Sequence, residues 1–427
     1  MTTRATSTSR QAIQPKYLSQ FKCLGGDCPD TCCSGWTIDV DKAHFKALKK
    51  AAASEESVKH LVENLKRYDD ATPKRYGTVR LQKDGACPGF SAERDCNIQR
   101  ALGHQMLPEI CQVYPRYYIA LGSDTELHGT MSCPEVARLC LLDPQAFEMN
   151  QTELPIPAGK PIPHNRGFHT IPSKAAHPVR RNFYAIRDFL VFSTESRRVP
   201  FYDRLLLATA IVGQLAQLPV DIEDSMAETD RKVEYMLLQS KLELLQGQPA
   251  EVHTPEPADS KAVLAQLSML ARMTDERLKM GGGGGAFHQK LMLVFGGLHF
   301  DANNMEHVAV RYVAARDHYF AKVLQENPHL FENLLKNLIY SDCLPTGKNG
   351  DIAKEWGDAL IAVGLVRAYL IGLAAHFQHQ FSMVHCVGMI QSFYRVIQHN
   401  QKFYDNLREK LNELGVNSLA TYMLLLK

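Results

Sequence analysis

The sequence has little net charge, no long uninterrupted apolar run and almost no cysteine outside its first third. Its 427 residues carry 48 lysines and arginines against 46 aspartates and glutamates, which leaves a net charge of +2. No basic field therefore indicates nucleic acid as a partner. The two most apolar stretches, 205–218 and 359–375, contain Gln214 and Arg367 and follow a helical period, so we expect no membrane span.

The first residues also lack the pattern of a secretion signal. Residues 1–14 are polar and rich in serine and threonine, and they contain no apolar core segment. We therefore predict a disordered lead over residues 1–15 and a soluble, cytoplasmic protein. Disulfides are disfavoured in a reducing compartment, so clustered cysteines there indicate metal or redox chemistry.

The cysteines are unevenly distributed along the chain. Nine of the eleven lie between Cys23 and Cys140. This asymmetry predicts a Cys-rich metal-binding domain of loops and helices over residues 16–150, in which 42–68 is an amphipathic helix.

The proline-rich residues 151–178 are predicted to form a connector. Residues 179–427 are predicted to form a large all-α domain, so the fold class is mainly α. Its helices are predicted at 179–196, 203–218, 228–246, 260–280, 305–325, 330–339, 352–377, 381–399 and 402–414.

Eight cysteines are candidate metal ligands, and a subset of about four of them would hold one metal centre: Cys23, Cys28, Cys32, Cys33, Cys87, Cys96, Cys111 and Cys133. Zinc also accepts four thiolates, but it favours two close cysteine pairs, which these spacings do not provide. The irregular spacing favours an iron-sulfur cluster, of the 4Fe-4S kind, with zinc as the alternative. Neighbouring side chains diverge, so Cys32 and Cys33 are not expected to bind the same iron.

The cysteines stand within longer motifs that resemble a known family. The match spans most of residues 17–140, with a weaker similarity at 332–338 and 344–345. It is carried by Tyr17, Phe21, Cys23, Cys28, Asp30, Cys32, Cys33, Gly35, Trp36, Ile38 and Asp39; by Cys87-Pro88 with Phe90; by Cys96 with Ile98-Gln99; by Leu107-Pro108, Ile110-Cys111 and Tyr114-Pro115-Arg116; and by Ser132-Cys133-Pro134-Glu135-Val136-Ala137-Arg138-Leu139. Together these residues resemble the flagellin lysine-N-methylases, which carry a CxxCxxCC-type zinc- or iron-chelating signature.

The resemblance implies methyl transfer from S-adenosylmethionine to surface lysines of flagellin, with an iron-sulfur cluster required for activity. The sequence has no glycine-rich G-x-G-x-x-G motif after a strand, so the usual sheet-edge cofactor site is missing. Nor does it carry the cysteine triplet of radical enzymes. An iron that lacks a protein thiolate would offer another site for the amino and carboxylate groups of S-adenosylmethionine. Polar and radical methyl transfer both remain open.

Five further residues are candidates for catalysis or cofactor binding. Tyr114 and Arg116 follow Cys111, and an arginine suits a carboxylate, although both residues could simply pack in a proline-stiffened turn. Glu135 is a candidate base for the lysine proton, but Ser132 and Glu135 also have the spacing of a helix capping box. Trp36 and Asp39 follow the first cysteine group, where they could cover the metal and contact a cation. A plain core role is the alternative for Trp36.

Three kinds of function remain in competition at this point. The leading hypothesis is an iron-sulfur lysine methyltransferase acting on flagellin. The second is a non-catalytic protein that chelates zinc or iron and binds a partner through its helical domain. The third is an electron carrier, for which tighter ligand spacing is expected. Cys140, Cys343 and Cys386 are predicted to be buried core residues, and the five glycines 281–285 a flexible linker.

Overall fold

The computed structural model describes residues 9–157, 165–168, 175–219, 226–247, 260–279, 285–347, 350–398 and 400–426. Helices dominate these residues, which confirms the mainly α fold class. The predicted glycine linker lies outside the described residues, except for Gly285 at the start of a helix. The N-terminal third differs from the prediction, because strands accompany its loops and helices.

Eight strands lie within the described residues, and they form two sheets. The strands are β1 (Ser9–Pro15), β2 (Ile38–Val40), β3 (Leu65–Arg67), β4 (Gly77–Val79), β5 (Arg116–Leu121), β6 (Asp124–Gly129), β7 (Met149–Pro157) and β8 (Asn165–Phe168). The larger sheet has the order β7-β1-β6-β5-β8, and the smaller has the order β2-β4-β3. Between them lie α1 (Lys16–Ser19), α2 (Lys42–Ala51), α3 (Lys59–Glu63), α4 (Asn97–Leu102), α5 (Glu109–Val113) and α6 (Pro134–Leu142).

Three predictions about the N-terminal third are wrong. Residues 9–15 were expected to be disordered, but β1 pairs in parallel with β6 and antiparallel with β7, so its backbone hydrogen bonds are satisfied on both edges. The expected helix over 42–68 is instead divided into α2, which ends at Ala51, the short α3, and Leu65–Arg67, which pairs with β4 as a strand. The expected connector supplies most of β7 and all of β8, which complete the larger sheet.

The domain boundary near residue 150 is also not where the hydrophobic cores divide. A small core gathers residues from Ile38 to Leu107. A large core combines Tyr17, Leu127 and Cys133 with the C-terminal helices. A small unit that includes residues 33–111 is therefore set against a large body in which the five-stranded sheet and the C-terminal helices share one interior.

From residue 175 onward the described residues contain only helices and loops. The helices are α7 (Pro178–Arg181), α8 (Phe183–Glu195), α9 (Phe201–Leu215), α10 (Met226–Gln246), α11 (Ser260–Lys279), α12 (Gly285–Leu298), α13 (Met305–Ala315), α14 (Ala321–Glu326), α15 (His329–Ser341), α16 (Ile352–Phe377), α17 (Met383–Phe393), α18 (Gln401–Glu413) and α19 (Leu419–Leu424). The all-α prediction is confirmed for this region, although α12 was not among the expected helices. Short π-helical segments follow α13 and α17.

Helix α16 is the central helix of the large body. With the turn that follows, it is long and apolar enough to cross a membrane, but 83% of its apolar window is buried inside the protein. Asp351 begins the helix by accepting hydrogen bonds from the backbone N–H groups of Ala353 and Lys354. Trp356 is fully buried and donates its indole N–H to Thr209 on α9.

A buried ion pair joins the larger sheet to the first long C-terminal helix. Glu126 on β6 accepts two hydrogen bonds from the Arg187 guanidinium on α8, at 2.6 and 2.8 Å. Burial by itself raises the pKa of Glu126, but the contacts with His128 and Arg187 outweigh it and lower the pKa to about 2. The carboxylate therefore stays charged inside the protein. Removal of either partner leaves an uncompensated buried charge.

We expect Arg187→Met to lower the free energy of unfolding by about 3–5 kcal/mol, because Glu126 loses its buried partner. Urea unfolding followed by far-ultraviolet circular dichroism measures this loss. Lys232→Met is the matched control, since Lys232 pairs with Glu228 on the exposed face of α10, and we expect no measurable change. Equal stability of the two variants would show that the Glu126 pair does not join the layers.

Candidate functional site

A cavity of about 530 Å³ lies between the small unit and the large body, at the starts of β5 and α6. Its volume falls within the range of small-molecule sites, about 300–1,000 Å³. Seven of the eight candidate cysteines line it: Cys23, Cys28, Cys32, Cys33, Cys96, Cys111 and Cys133. The eighth, Cys87, is buried in the small core. The fold thus brings the predicted ligands together from loops far apart in the sequence.

The first cysteine loop wraps one side of the cavity. The backbone N–H of Gly25 donates to Cys23 Sγ at 3.4 Å, and Cys28 Sγ donates to the Asp30 carbonyl at 3.4 Å. Arg94 donates to the Cys28 carbonyl at 2.8 Å. Gly35, just after the paired cysteines, has a φ of +78°, which favours glycine and turns the chain toward β2.

Backbone contacts place the other cysteines next to this loop. The N–H of Cys87 donates to the Cys33 carbonyl at 2.8 Å. Cys96 forms a β-bridge with Phe90 and precedes α4. Cys111 lies within α5, and Cys133 occupies the N-cap position of α6. Each of these thiols sits at or beside a helix or bridge of the fold, so the cavity walls are fixed by regular structure.

Most of the thiols are held in their neutral form. Burial is the main cause that raises the pKa of Cys87 to about 12 and that of Cys133 to about 11, and it also raises the pKa values of Cys96 and Cys111. Cys33 is the exception. A hydrogen bond from Cys32 and another from Thr31 lower the pKa of Cys33 to about 7. Metal binding must remove the other protons, so its affinity depends on pH.

No group of three or more His, Cys, Asp or Glu side chains in the described part of the chain is arranged to hold a single metal ion. A tetrahedral zinc would need sulfurs about 3.8 Å apart, given Zn–S bonds of about 2.3 Å. In an iron-sulfur cluster each thiolate binds a different iron, so the sulfurs stand farther apart.

Asp30 connects the cysteine loop to the C-terminal helices. Its carboxylate accepts a hydrogen bond from Gln391 on α17 at 2.7 Å and an ion pair from Arg395 at 2.5 Å. Arg395 also donates to the carbonyl of Ser34, and Gln391 donates to the carbonyl of Ser132. We call these contacts of Asp30, Gln391 and Arg395 the Asp30 clamp. Sequence analysis did not identify Gln391 or Arg395, which lie more than 350 residues from the loop.

Arg116 and Tyr114 both line the cavity, as expected for site residues beside Cys111. The Arg116 guanidinium lies over the Phe21 ring at 4.9 Å. Within the described residues, no carboxylate lies within ion-pair distance of it. Burial lowers the pKa of Arg116, although the group stays charged at any physiological pH. The Tyr114 hydroxyl lies 3.3 Å from Ser132 Oγ, and burial raises its pKa, so the phenol is neutral.

The remaining site candidates are placed differently. The Trp36 ring lies 5.6 Å from the Tyr114 ring, tilted by 43°, and its indole N–H donates to the Cys32 carbonyl. Trp36 therefore contacts two residues that line the cavity but does not line it itself. Asp39 does not line the cavity, because its carboxylate accepts a hydrogen bond from Tyr68 and lies 4.0 Å from Arg75 in the small unit. Its assignment to cofactor binding stays a prediction without support from this placement.

Glu135 lines the cavity, but its carboxylate is engaged by two hydrogen bonds from Arg138, each 2.8 Å long. The expected capping box of Ser132 and Glu135 is wrong. Helix α6 begins at Pro134 after Cys133 and has no side-chain cap. Because proline has no backbone N–H, a helix that begins with proline has one fewer donor for a side-chain cap to satisfy.

The three cysteines predicted to serve only in the core are buried, as expected: Cys140, Cys343 and Cys386. None of them lines the cavity. The fold and the cavity together define a mainly helical protein whose cysteine-lined pocket is suited to bind a small ligand beside thiols.

A sequence profile described as the FliB lysine N-methylase C-terminal domain matches residues 187–426. The match spans more than half of the chain, so the protein belongs to the FliB lysine N-methylase family. It covers the helical region in which sequence analysis found only a weak similarity. No solved structure in the comparison matches the chain.

Curated relatives agree with this family. The chain is 27% identical over 139 residues to a protein named lysine-N-methylase from Salmonella typhimurium, a match that covers 32% of this chain and 34% of that protein. The chain is also 27% identical over 139 residues to the flagellar biosynthetic protein FliU of Salmonella muenchen, a match that covers 32% of this chain and 81% of that protein. The chain therefore spans about a third of the length of the curated lysine-N-methylase.

We expect Arg395→Ala to loosen the cysteine loop, because Asp30 loses its ion pair and Ser34 loses a donor. Hydrogen exchange followed by mass spectrometry should show faster exchange of the amides in residues 28–34. Arg316→Ala is the control, since Arg316 pairs with its neighbour Asp317 on another face of the protein. Unchanged exchange in residues 28–34 would mean that the Asp30 clamp does not hold the loop.

Proposed function

We propose that this protein is a lysine N-methyltransferase that transfers methyl groups from S-adenosylmethionine to flagellin. We also propose that this activity requires an iron-sulfur cluster bound by the N-terminal cysteines. The observation that carries the proposal is one cavity in which seven thiols meet an arginine that has no carboxylate partner among the described residues, beside a domain of the FliB lysine N-methylase family. The names of the relatives point to the same chemistry and to the flagellum.

The donor set fits the proposed cluster. Thiolates are the ligands that iron-sulfur clusters require, and the eight cysteines supply more than one cluster uses. Loops and short helices place them around an open volume instead of around a point. When bound, the cluster would offer either Lewis-acidic iron or an electron, and it would also fix the walls of the cavity.

Arg116 is suited to hold the carboxylate of S-adenosylmethionine. It is half-buried, faces the cavity and has no carboxylate partner among the described residues. A planar guanidinium binds a carboxylate through two parallel hydrogen bonds. The Phe21 ring lies under the guanidinium and limits its orientations. This arrangement would bind the amino acid end of the methyl donor without a nucleotide-binding sheet.

The lysine substrate must lose its proton before it can attack a methyl group. Its reference pKa is about 10.4, so most of it is charged at neutral pH. A partly dry cavity favours the neutral amine, because burial disfavours the charged form. Glu135 is the candidate acceptor of the proton, although Arg138 competes for its oxygens. The neutral Tyr114 hydroxyl is placed to donate a hydrogen bond within the same cavity.

The proposed function predicts methylated flagellin lysines when anaerobically purified protein is incubated with S-adenosylmethionine and flagellin. Tandem mass spectrometry of flagellin peptides detects each added methyl group. Cys96→Ala should abolish methylation, because it removes a cluster ligand, whereas Cys386→Ala should leave it unchanged. Unmodified flagellin after incubation with protein that carries its full complement of iron and sulfide would contradict the proposal.

The proposed role of Arg116 predicts weaker cofactor binding in Arg116→Met. Loss of a charge-assisted contact costs about 1.5–3 kcal/mol, which corresponds to a Kd for S-adenosylmethionine raised roughly 10- to 150-fold. Isothermal titration calorimetry measures this Kd, and the measurement does not depend on methyl transfer. Arg100→Met is the matched control, because Arg100 lines the same cavity but already pairs with Glu93. Equal Kd values for the two variants would exclude the carboxylate contact.

A further inference from the structure

Helix α2 carries four lysines on one exposed face and no acidic residue. We call this set the α2 lysine face, and it consists of Lys42, Lys46, Lys49 and Lys50. Since each residue turns an α-helix by about 100°, the four side chains lie within an arc of about 100°. Another side of the helix is buried in the small core through Phe45 and Leu48.

Two aromatic rings bring cations from two elements together. The rings of Phe45 and Tyr76 contact each other, with their centroids 5.2 Å apart. Lys42 Nζ lies 5.9 Å from the centroid of the Tyr76 ring, and Lys49 Nζ lies 5.0 Å from that of the Phe45 ring. The Arg67 guanidinium on β3 lies 5.1 Å from the Tyr76 centroid. Three cations therefore surround one pair of rings.

The register of the smaller sheet turns Arg67 toward α2. Arg67 pairs with Gly77 on β4, and directly opposite residues of an antiparallel pair point to the same face of the sheet. A Cβ added at Gly77 would lie 2.7 Å from the Phe45 ring, so this face of the sheet packs against α2. Arg67 therefore adds its charge to the α2 lysine face.

None of these five cations forms an ion pair with another described residue. The acidic side chains that flank α2 in the sequence have other partners, since Asp41 pairs with His44 and Glu56 pairs with Lys59. Clustered like charges repel one another and create a positive potential at the surface. An acidic ligand lowers this repulsion, so the surface is complementary to negative charge.

Helix α2 also lies beside the cavity. On a side away from the lysines, His44 Nε2 lies 3.1 Å from the Gln105 carbonyl and 3.1 Å from Gln112 Nε2. Gln112 lines the cavity. The α2 lysine face is therefore separated from the cavity wall by one helix diameter, about 10–12 Å. An extended chain rises about 3.3 Å per residue, so it needs at least about four residues to bridge this distance.

The lysine spacing matches an extended acidic segment. Along the helix axis Lys46 is about 6 Å from Lys42, and Lys49 is about 4.5 Å from Lys46. Alternate residues of an extended chain lie about 6.6 Å apart and point to the same side. Acidic residues at alternate positions therefore meet successive lysines. The net charge of +2 on the whole chain provides no wider basic field of the kind that nucleic acids require.

We propose that the α2 lysine face and Arg67 bind an acidic segment of the protein substrate, and that this contact directs a lysine at least about four residues away into the cavity. The proposal rests on the proposed function in taking a protein lysine as the methyl acceptor. It adds a docking surface outside the cavity and a preference for lysines near acidic residues. Because the surface is exposed, its contacts weaken as the salt concentration rises.

Fluorescence anisotropy of a labelled peptide of alternating glutamate and glycine tests this surface on the whole chain. We expect the Lys42→Gln, Lys46→Gln, Lys49→Gln triple variant to bind the peptide about tenfold more weakly than the wild type, because each exposed ion pair contributes modestly. The same peptide with glutamine in place of glutamate should not bind. Circular dichroism checks that the variant folds.

The control is a second triple variant, Lys232→Gln, Lys322→Gln, Lys402→Gln, which removes the same charge from exposed lysines of the helical region. It should bind the peptide like the wild type. Equal affinity of the two triple variants, or a wild type that does not bind the peptide at low salt, would overturn the proposal. Single-stranded DNA that binds more tightly than the peptide, and less tightly to the α2 variant, would assign the surface to nucleic acid and overturn it as well.

The outcomes for docking and for methyl transfer are separable. The anisotropy measurement contains neither S-adenosylmethionine nor flagellin. A chain that binds the peptide but leaves flagellin unmodified contradicts the proposed function and leaves the docking surface standing. Methylation of flagellin with the same KM in the wild type and in the α2 variant overturns the docking surface and leaves the proposed function standing.

Discussion

The hydrogen bonds that Asp30 accepts from Gln391 and Arg395 hold the rest of the candidate site together. The loop that carries Cys23, Cys28, Cys32 and Cys33 is mostly exposed and contributes little to either core. Its position depends on polar contacts with the C-terminal helices. The clamp residues are only about a quarter exposed, so solvent screens this ion pair less than a surface pair. The cysteine loop is therefore in polar contact with the helical region that matches the family profile.

The contacts of Asp30 cross the boundary between two separately packed units of the chain. Residues 116–157 share one hydrophobic core with the C-terminal helices, while residues 38–107 pack around a separate small core. The cavity lies between these units, where two sets of loops meet. A site between two packed units is lined by residues from both of them. It can also place thiols that are distant in sequence within one volume.

Local sequence patterns were sufficient for most of the helical region. Helix α16 was predicted at the residues where it lies, because its apolar residues follow the helical period. The expected helix over 42–68 failed, since its last residues pair with β4, a partner that local periodicity does not reveal. Strand β1 was missed for the same reason, as its order comes from β6 and β7 far along the chain. Long-range strand pairing accounts for each of these differences.

For the site, sequence identified the cysteines, Tyr114 and Arg116, which line the cavity or lie beside it. It did not identify the clamp, because no spacing rule connects Asp30 to Arg395. It also placed Asp39 near the cofactor, whereas Tyr68 and Arg75 hold that side chain in the small unit. Residue types and motifs reveal which groups can bind a metal. Tertiary contacts decide which of them face the same space.

We propose above that the cysteine-lined cavity binds an iron-sulfur cluster. A crystal structure of anaerobically purified protein, with anomalous diffraction recorded at the iron and zinc absorption edges, tests it most directly. We expect iron density in the cavity, bonded to several of the cysteines that line it. Zinc density alone at these thiols, or cysteines paired as disulfides with no metal between them, would contradict it.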